Sequence, residues 1–517
     1  MRYLRKIPRG RGVREPILHA DHPRPVTRRE LLSAGLISGA ATVFMPLLPR
    51  LARADVQGDL SGLGLANCGL TGGAGMVPFI AFDLSGGANI AGSNVLIGKT
   101  GGQQDFLTAA GYSKLGLPGN MTPNLPGFVD QSFGLAFHSD SALLRGMKLR
   151  ATSATTASST NGAILAALSQ NDTANNPHNP MYGIAKTGAR GQLLTLIGSE
   201  SSDSGGNSMA PAALIDPQIR PTKVDRSSDV TGLVDTGELG TLFSDPADAV
   251  SVMESMAVLT YRKQGHVSTG LDAGSDASVK DFNKCGYVKS AYLAEKFNNP
   301  AALNPDVDVN IVGPGGIWSQ AEYNGNSEYR KTAAVMKMVI DGNAGAGTIQ
   351  MGGFDYHTGD RATGEARDQL AGECIGACLE YAARTGRPLM IYVFSDGSLS
   401  SSGMIDNSAG GRGKGVWTGD NQSTAASFML VHQPGGTVPM MMNAGVARNQ
   451  IGWFTADGSV DTNSHPGANA VNLLVYEVIL NYLALHGRVG DFGTLFPGSG
   501  LGSGAQLDAL TAFGQVV

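Results

Sequence analysis

Three aspartates of the 517-residue chain share one sequence context. Asp83, Asp355 and Asp396 each lie at or just beyond the end of an apolar run typical of a buried strand, next to glycine. If those strands are parallel and adjacent, their carboxyl ends converge in one crevice, where open α/β sheets bind ligands. Carboxylates gathered there repel one another unless a cation neutralises them. The pattern therefore predicts a site for one or two divalent metal ions.

Two further side chains beside these aspartates have a place in such chemistry. His357 lies two residues after Asp355 in a loop bracketed by glycines, and its imidazole suits Zn, Mn or Fe. Ser85, in a Gly-rich turn after the first strand, could act as a nucleophile or bind an anion. We predict Asp83, Asp355, His357 and Asp396 as metal ligands and Ser85 as the catalytic residue.

Each of these residues also has a purely structural interpretation. An aspartate after a strand often caps the next helix or closes an Asx turn, and Ser85 could be an ordinary turn serine. His432, just past another strand, is a weaker ligand candidate. His178 and His465 lie beside prolines in loops and are expected to be exposed to solvent.

The elements that must position these residues follow from the apolar periodicity. We predict strands at 77–84, 348–351, 389–394 and 425–431, helices at 332–340, 365–384 and 466–486, and one or two helical turns at 163–168. The β-loop-α-β order around residues 348–394 implies parallel strands joined by a right-handed crossover. The predicted fold class is an α/β three-layer sandwich with a mostly parallel sheet.

Length and composition set the domain organisation. About 150 residues per domain gives roughly three units or one large domain with insertions. We predict a single α/β domain over 55–517, with a helical insertion at about 245–300. Charged residues are 16% and hydrophobic residues 42% of the chain, which excludes a highly charged disordered protein.

Charge is distributed unevenly along the chain. Residues 1–54 hold 11 basic and 3 acidic residues, so the remainder has 27 basic and 40 acidic ones. An acidic body does not attract a polyphosphate backbone, and we expect no nucleic-acid partner.

The first 54 residues have the three parts of an export signal. Arg28-Arg29 precedes a weakly apolar run over 31–48, and Ala52-Arg53-Ala54 resembles a cleavage site. The paired arginines predict the twin-arginine export machinery as a partner and a periplasmic or extracellular location, with no stable membrane span after processing. The alternative is an amphipathic helix packed on the body.

Four cysteines lie at positions 68, 285, 374 and 378. An oxidising compartment would permit a disulfide. Cys374 and Cys378, four residues apart on a predicted helix, fit buried small hydrophobic side chains better than a bridge.

Four segments resemble an exported bacterial family, the domain of unknown function 1501 family, whose fold is similar to the alkaline phosphatase and sulfatase superfamily. They are TRRELLSAG at 27–35, FDLSGGAN at 82–89, GGFDYH at 352–357 and FSDGS at 394–398. The resemblance covers most of residues 75–440. It implies an alkaline-phosphatase-like sandwich with a metal-supporting site at the carboxyl edge of the sheet, with Asp355 and His357 in the most recognisable block.

The chain departs from that family's pattern at several expected ligands. Asn89 stands where family members usually carry aspartate, and the segments at 160–162, 396–398 and 419–421 replace other elements of the pattern. Two functions stay open. One is a non-catalytic envelope binding or assembly factor with a degenerate metal site, which the departures favour; the other is a metal-dependent phosphate or sulfate ester hydrolase.

Overall fold

The computed structural model describes residues 75–169, 175–234, 246–297 and 299–517. Within them, 75–234 and 299–517 belong to one compact unit, and the helical segment 246–297 belongs to another. The predicted export signal at 1–54 lies outside the described residues.

The larger unit is built on an eight-stranded sheet. Its strands are β1 (Phe79–Leu84), β4 (Thr160–Leu165), β5 (Leu194–Gly198), β6 (Thr222–Lys223), β7 (Ala344–Met351), β8 (Leu389–Phe394), β11 (Ser427–His432) and β14 (Gln450–Ile451), in the order β14-β4-β11-β8-β1-β7-β5-β6. Only β11 runs against its neighbours; the other pairings are parallel. Three two-stranded ribbons complete the strands: β2 (Val129–Asp130) with β3 (Phe137–His138), β9 (Leu399–Asp406) with β10 (Lys414–Asp420), and β12 (Met442–Asn443) with β13 (Val446–Ala447).

Helices connect and cover these strands. The α-helices are α1 (Ala109–Lys114), α2 (Ala142–Arg150), α3 (Ala154–Ser158), α4 (Met181–Lys186), α5 (Ser227–Gly232), α6 (Pro246–Gln264), α7 (Ala273–Lys296), α8 (Gln320–Gly325), α9 (Ser327–Ile340), α10 (Ala362–Thr385), α11 (Val471–Ala484), α12 (Phe492–Leu495) and α13 (Ala505–Ala509). Short 3-10 helices span Gly102–Gln104, Gly119–Met121, Pro217–Ile219, Pro300–Leu303, Pro305–Val307, Gln422–Thr424, Pro466–Asn469 and Val489–Asp491. Among the helices described, none has the length and apolarity to cross a membrane.

Helices lie on both faces of the large sheet. On one face, Phe79 and Ala346 share a core cluster with helices α4 and α11. Gly347, the next residue of β7, points to the opposite face, where a Cβ would stand 2.7 and 2.8 Å from methyl carbons of Val335 and Val339 on α9. The sheet is thus the middle of three layers, and the prediction of a mostly parallel α/β sandwich is confirmed.

Two sequence predictions of local structure are wrong. Residues 163–168 form no helical turn: residues up to Leu165 belong to β4, which pairs antiparallel with β11. Nearly every residue of β4 is buried, so its side chains do not alternate between apolar and polar as in a half-exposed strand. A short apolar run of this kind does not distinguish a strand from a helical turn. The helix predicted from 466 also starts later, because a 3-10 turn precedes α11.

The smaller unit contains the α6 and α7 hairpin, within the segment where we predicted a helical insertion. Cys285 on α7 is disulfide-bonded, whereas Cys68 lies outside the described residues. In the larger unit Cys374 and Cys378 are free and fully buried, as predicted. Burial raises the pKa of the Cys374 thiol to about 12, so it remains a neutral core side chain.

Candidate metal centre

Three loops leave the carboxyl edge of the sheet side by side and are bonded together. Strand β1 lies between β7 and β8, so that Asp83 pairs in register with Gln350 and Phe394. Ser395 Oγ, after β8, donates to Leu84 O at 2.6 Å and accepts from Ala88 N at 2.8 Å. The loops therefore hold a fixed arrangement at this edge.

Gly86 lies where the loop after β1 passes the loop after β7. Its φ is +121°, a conformation that L side chains rarely adopt, and a Cβ would stand 2.6 Å from Asp355 N. Its own N–H donates to Asp396 Oδ1 at 2.8 Å. Only glycine fits this position without displacing the loop that carries Asp355.

Asp355 and His357 come together with a third residue, Asp420. His357 Nε2 lies 2.7 Å from Asp355 Oδ1 and 3.7 Å from Asp420 Oδ1. One ligand atom from each residue lies within 4.8 Å of the other two. The side chains are 62% (Asp355), 29% (His357) and 48% (Asp420) exposed, so a hydrated cation can reach them.

Sequence reasoning did not select Asp420 as a ligand. The residue ends β10, and the following Asn421 N donates to Ser398 O at 2.8 Å, which ties the ribbon to the loop after β8. The available signal was an aspartate closing a strand after a Gly-rich loop. Its proximity to His357 depends on tertiary packing, which spacing alone does not reveal.

Buried charges anchor the ribbon that carries Asp420. Arg361 lies over the Trp417 ring with 4.7 Å to its centroid and donates to Glu365 Oε1 at 2.7 Å. Lys414, at the start of β10, reaches the same oxygen at 2.8 Å. Burial alone would raise the pKa of Glu365, but the charges of Arg361 and Lys414 outweigh it and lower that pKa to about 2. The network fixes β10 against α10.

A second network fixes the loop that carries His357. Tyr356 Oη donates to Asp368 Oδ1 at 2.7 Å and accepts from Asn89 N at 2.9 Å. Asn94 Nδ2 donates to the other Asp368 oxygen at 2.6 Å. Burial raises the pKa of Asp368 to about 7. Asn89, one of the departures from the family pattern, is buried in this network and is not among the three clustered residues.

Asp83 and Asp396 lie beneath this edge and are both fully buried. Asp83 Oδ2 accepts from the backbone N–H groups of Asn207 at 2.8 Å and Ser208 at 2.7 Å. Asn207 Nδ2 reaches Asp396 Oδ2 at 3.3 Å, so one loop contacts both aspartates. Among the described residues, the three-ligand cluster does not include either of them. The four predicted ligands are thus distributed over an exposed cluster and a buried pair.

Burial dominates the electrostatics of this pair. Desolvation raises the pKa of Asp83 to about 7; the Ser208 N–H partly offsets the rise, and the charge of Asp396 adds to it. Asp83 is therefore partly protonated at neutral pH. A cation bound by both carboxylates would lower the pKa of Asp83 again. The protonation state of Asp83 would therefore report whether this residue binds a cation.

Ser85 lies at the same edge and is half-buried. Its Oγ accepts from Gln350 Nε2 at 3.0 Å, and its backbone N–H donates to Met351 O at 2.9 Å. In the described part of the chain, no histidine, lysine or carboxylate is hydrogen-bonded to its hydroxyl. A serine nucleophile needs a neighbouring base or cation to take its proton, so its predicted catalytic role depends on a bound metal ion.

The expectation that His178 and His465 are solvent-exposed is wrong. His178 is 3% exposed and stacks on Phe394 with 5.6 Å between ring centroids. His465 is 8% exposed and lies 2.8 Å from Glu477 Oε2. An adjacent proline marks a turn, but a folded turn can pack against the core. His432 is also buried, bonded to Thr160 Oγ1 at 3.2 Å, and does not join the metal cluster.

The donor set of the exposed cluster fits one divalent cation. An imidazole nitrogen and two carboxylate oxygens are ligands of Zn²⁺ at about 2.0–2.2 Å, and one such atom from each residue lies within 4.8 Å of the other two. Three protein ligands leave the remaining positions to water or a bound molecule. Comparison of the chain with protein-family models, curated proteins and solved structures gave no match.

Proposed function

We propose that this protein is an exported α/β sandwich protein that binds one divalent cation, Zn²⁺ or Mn²⁺, through Asp355, His357 and Asp420. In this proposal it serves the cell envelope as a non-catalytic binding or assembly factor. The observation that carries it is the approach of three ligand atoms to within 4.8 Å at an exposed loop edge. The open coordination positions would then accept a ligand group from a partner.

The hydrogen bonds of Ser85 and of the two buried aspartates support a binding role. Ser85 Oγ is hydrogen-bonded to an amide, which takes no proton from it. Asp83 and Asp396 accept backbone hydrogen bonds from neighbouring loops, as structural aspartates do. The resemblance of FDLSGGAN and GGFDYH to the domain of unknown function 1501 family supports an origin in a metal-supporting fold.

Export is supported by the leader and by Cys285. Arg28-Arg29, the apolar run at 31–48 and the small residues at 52–54 have the order of a twin-arginine signal. A disulfide at Cys285 is stable in the periplasm or outside the cell and is rare in a reducing cytosol. Fractionation of cells that produce the full chain, compared with an Arg28→Lys, Arg29→Lys double variant, tests this part. Unchanged export of the double variant would contradict it.

Titration calorimetry of the full chain with Zn²⁺ and with Mn²⁺ tests the metal site. We expect one ion per chain, and we expect His357→Ala and Asp420→Asn each to weaken binding more than about tenfold. Asp491→Asn is the matched control, because Asp491 is 50% exposed and lies outside the cluster. A stoichiometry of zero, or equal affinity in all three variants, would overturn the site.

The second candidate function is a metal-dependent hydrolase of phosphate or sulfate esters, and Arg367 favours it. Its guanidinium lies across Gly353, where a Cβ would stand 2.7–2.8 Å from three of its atoms. In the described part of the chain, Arg367 has no ion-pair or hydrogen-bond partner. Its guanidinium is therefore available to bind an anion beside Gly353, which lies two residues before Asp355. Turnover of 4-nitrophenyl phosphate or sulfate by the metal-loaded protein, lost in Arg367→Ala, would establish this function over the binding role.

A further inference from the structure

A cleft of about 660 Å³ lies at the other end of the same sheet edge. It is lined by Gly452 and Trp453, which follow the carboxyl end of β14. His465, also in its wall, donates from Nε2 to Ala166 O at 2.7 Å, just past the end of β4. Both strands run parallel to β8, so the cleft lies at the edge where open sheets bind ligands. It shares no residue with the metal cluster.

The charged side chains in the described wall of this cleft, Arg448 and His465, already have hydrogen-bond partners. Arg448 Nη1 donates to the carbonyls of Asp508 and, at 2.6 Å, of Thr511. His465 Nδ1 lies 2.9 and 2.8 Å from the two oxygens of Glu477. Among the described residues, no aspartate, glutamate or lysine lines the cleft. A cationic ligand would therefore be desolvated there without a counter-charge, and the guanidinium that an anionic ligand would need already donates to two backbone carbonyls.

Uncharged hydrogen-bonding groups are plentiful in the same wall. The side-chain amides of Asn443 and Asn463 are exposed and have no hydrogen-bond partner in the described chain. The hydroxyl oxygen of Ser464 is shielded from solvent, so a ligand in the cleft does not reach it. Gly500 and Gly502 add backbone that a ligand can approach closely.

Trp453 supplies a flat apolar surface among these groups. It is half-buried, and its Nε1–H donates to Asp461 Oδ2 at 3.1 Å, which fixes the orientation of the ring. A rigid aromatic ring loses little entropy on binding and combines apolar contact with a polar rim. Trp318 and Trp417, the other two tryptophans, are fully buried elsewhere.

We propose that this cleft binds a neutral saccharide, with one sugar ring stacked on Trp453 and its hydroxyls bonded to Asn443 and Asn463. A pyranose ring has an apolar face and a periphery of uncharged hydroxyls, which matches an aromatic ring flanked by side-chain amides. A volume of about 660 Å³ holds a short oligosaccharide segment.

Tryptophan fluorescence and calorimetry with neutral trisaccharides test the proposal. The full chain is titrated with maltotriose, cellotriose and chitotriose up to about 10 mM, a range that detects the weak affinities of small ligands. We expect at least one to bind with a saturable change in fluorescence, because Trp453 is the tryptophan that the ligand can contact. The affinity should be unchanged by added NaCl, since the side chains proposed to contact the sugar are uncharged.

Variants on the cleft and outside it decide the assignment. Trp453→Ala should abolish the heat of binding, and Asn463→Ala, an exposed change compatible with folding, should weaken binding about tenfold. Asn407→Ala alters an exposed amide outside the cleft and should have no effect. The proposal is overturned if no trisaccharide binds, if Asn463→Ala binds like the wild type, or if an acidic trisaccharide binds more tightly than the neutral ones.

Discussion

Replacing Asp83 with asparagine should stabilise the protein at alkaline pH. The pKa of Asp83 is raised from 3.8 to about 7, chiefly by burial. Between pH 3.8 and about 7, the folded protein therefore retains a proton on this carboxyl, whereas the unfolded chain has released it. Stability falls as pH rises through this window and stays low above it, because the ionised carboxylate is then buried. Asparagine resembles the protonated acid and escapes this loss.

The size of the effect follows from the two pKa values. A shift of about three units corresponds to roughly 4 kcal/mol between the fully protonated and fully ionised limits. Between pH 5 and pH 8 the part that develops is about 2–3 kcal/mol. Asparagine also keeps the local hydrogen bonds: its oxygen can accept from the N–H groups of Asn207 and Ser208, and its amide can donate to Ser208 Oγ.

Urea denaturation of wild type and Asp83→Asn at pH 5 and pH 8, in chelator, measures the difference. We expect the variant's advantage to grow by about 2–3 kcal/mol between the two pH values, with Asp491→Asn showing no such trend. An advantage that is independent of pH, or that favours the wild type at pH 8, would refute the reasoning. If added Zn²⁺ or Mn²⁺ stabilises wild type at pH 8 but not Asp83→Asn, Asp83 is a cation ligand, as the sequence predicted.

Three further changes test side chains that support the metal cluster or the cleft. Glu365→Ala should cost about 3–5 kcal/mol in urea at pH 7, because Arg361 and Lys414 lose their shared acid; the wild type should lose this contribution as pH falls from 4.5 toward 2. His465→Ala should cost a similar amount by leaving Glu477 buried and unpaired. Burial would lower the pKa of His465, but Glu477 raises it, so this pair weakens as pH rises above about 6.5. Gly86→Ala should lower the melting temperature and weaken metal binding in calorimetry, since its Cβ would strike the Asp355 backbone.

Much of the sheet could be predicted from the sequence, for a physical reason that also explains the errors. Strand β8 matches its predicted bounds because six large apolar residues are buried on both faces. Strand β7 begins at Ala344, four residues before the predicted start, because its first half is alanine and glycine. Gly347 makes room for helix α9 and Gly345 for the backbone of Ala189, and these small residues carry no apolar periodicity.

The candidate site could also be predicted from the sequence only in part. Asp355 and His357 could be paired from the sequence because two residues in one loop must lie near each other. Asp420 could not, because it reaches His357 only through the ribbon that Arg361 and Glu365 hold in place. The positions of Asp83 and Asp355 after apolar runs likewise predicted the sheet edge at which they lie, but not how deeply each side chain is buried. The burial of Asp83 depends on the loop at 207–208, which follows β5 and donates two backbone hydrogen bonds to its carboxylate.

Depth is what distinguishes the two sets of carboxylates. Asp355 and Asp420 are exposed, so a cation from solution can reach them. Asp83 is sealed from water, and its raised pKa removes part of the negative charge that a second cation would have to neutralise. Gly86 lies between the two aspartates: its N–H donates to Asp396, and Asp355 occupies the space that a Cβ at this position would need. With one cation proposed at the exposed cluster and Asp83 partly protonated beneath it, few charges would be left uncompensated at this edge.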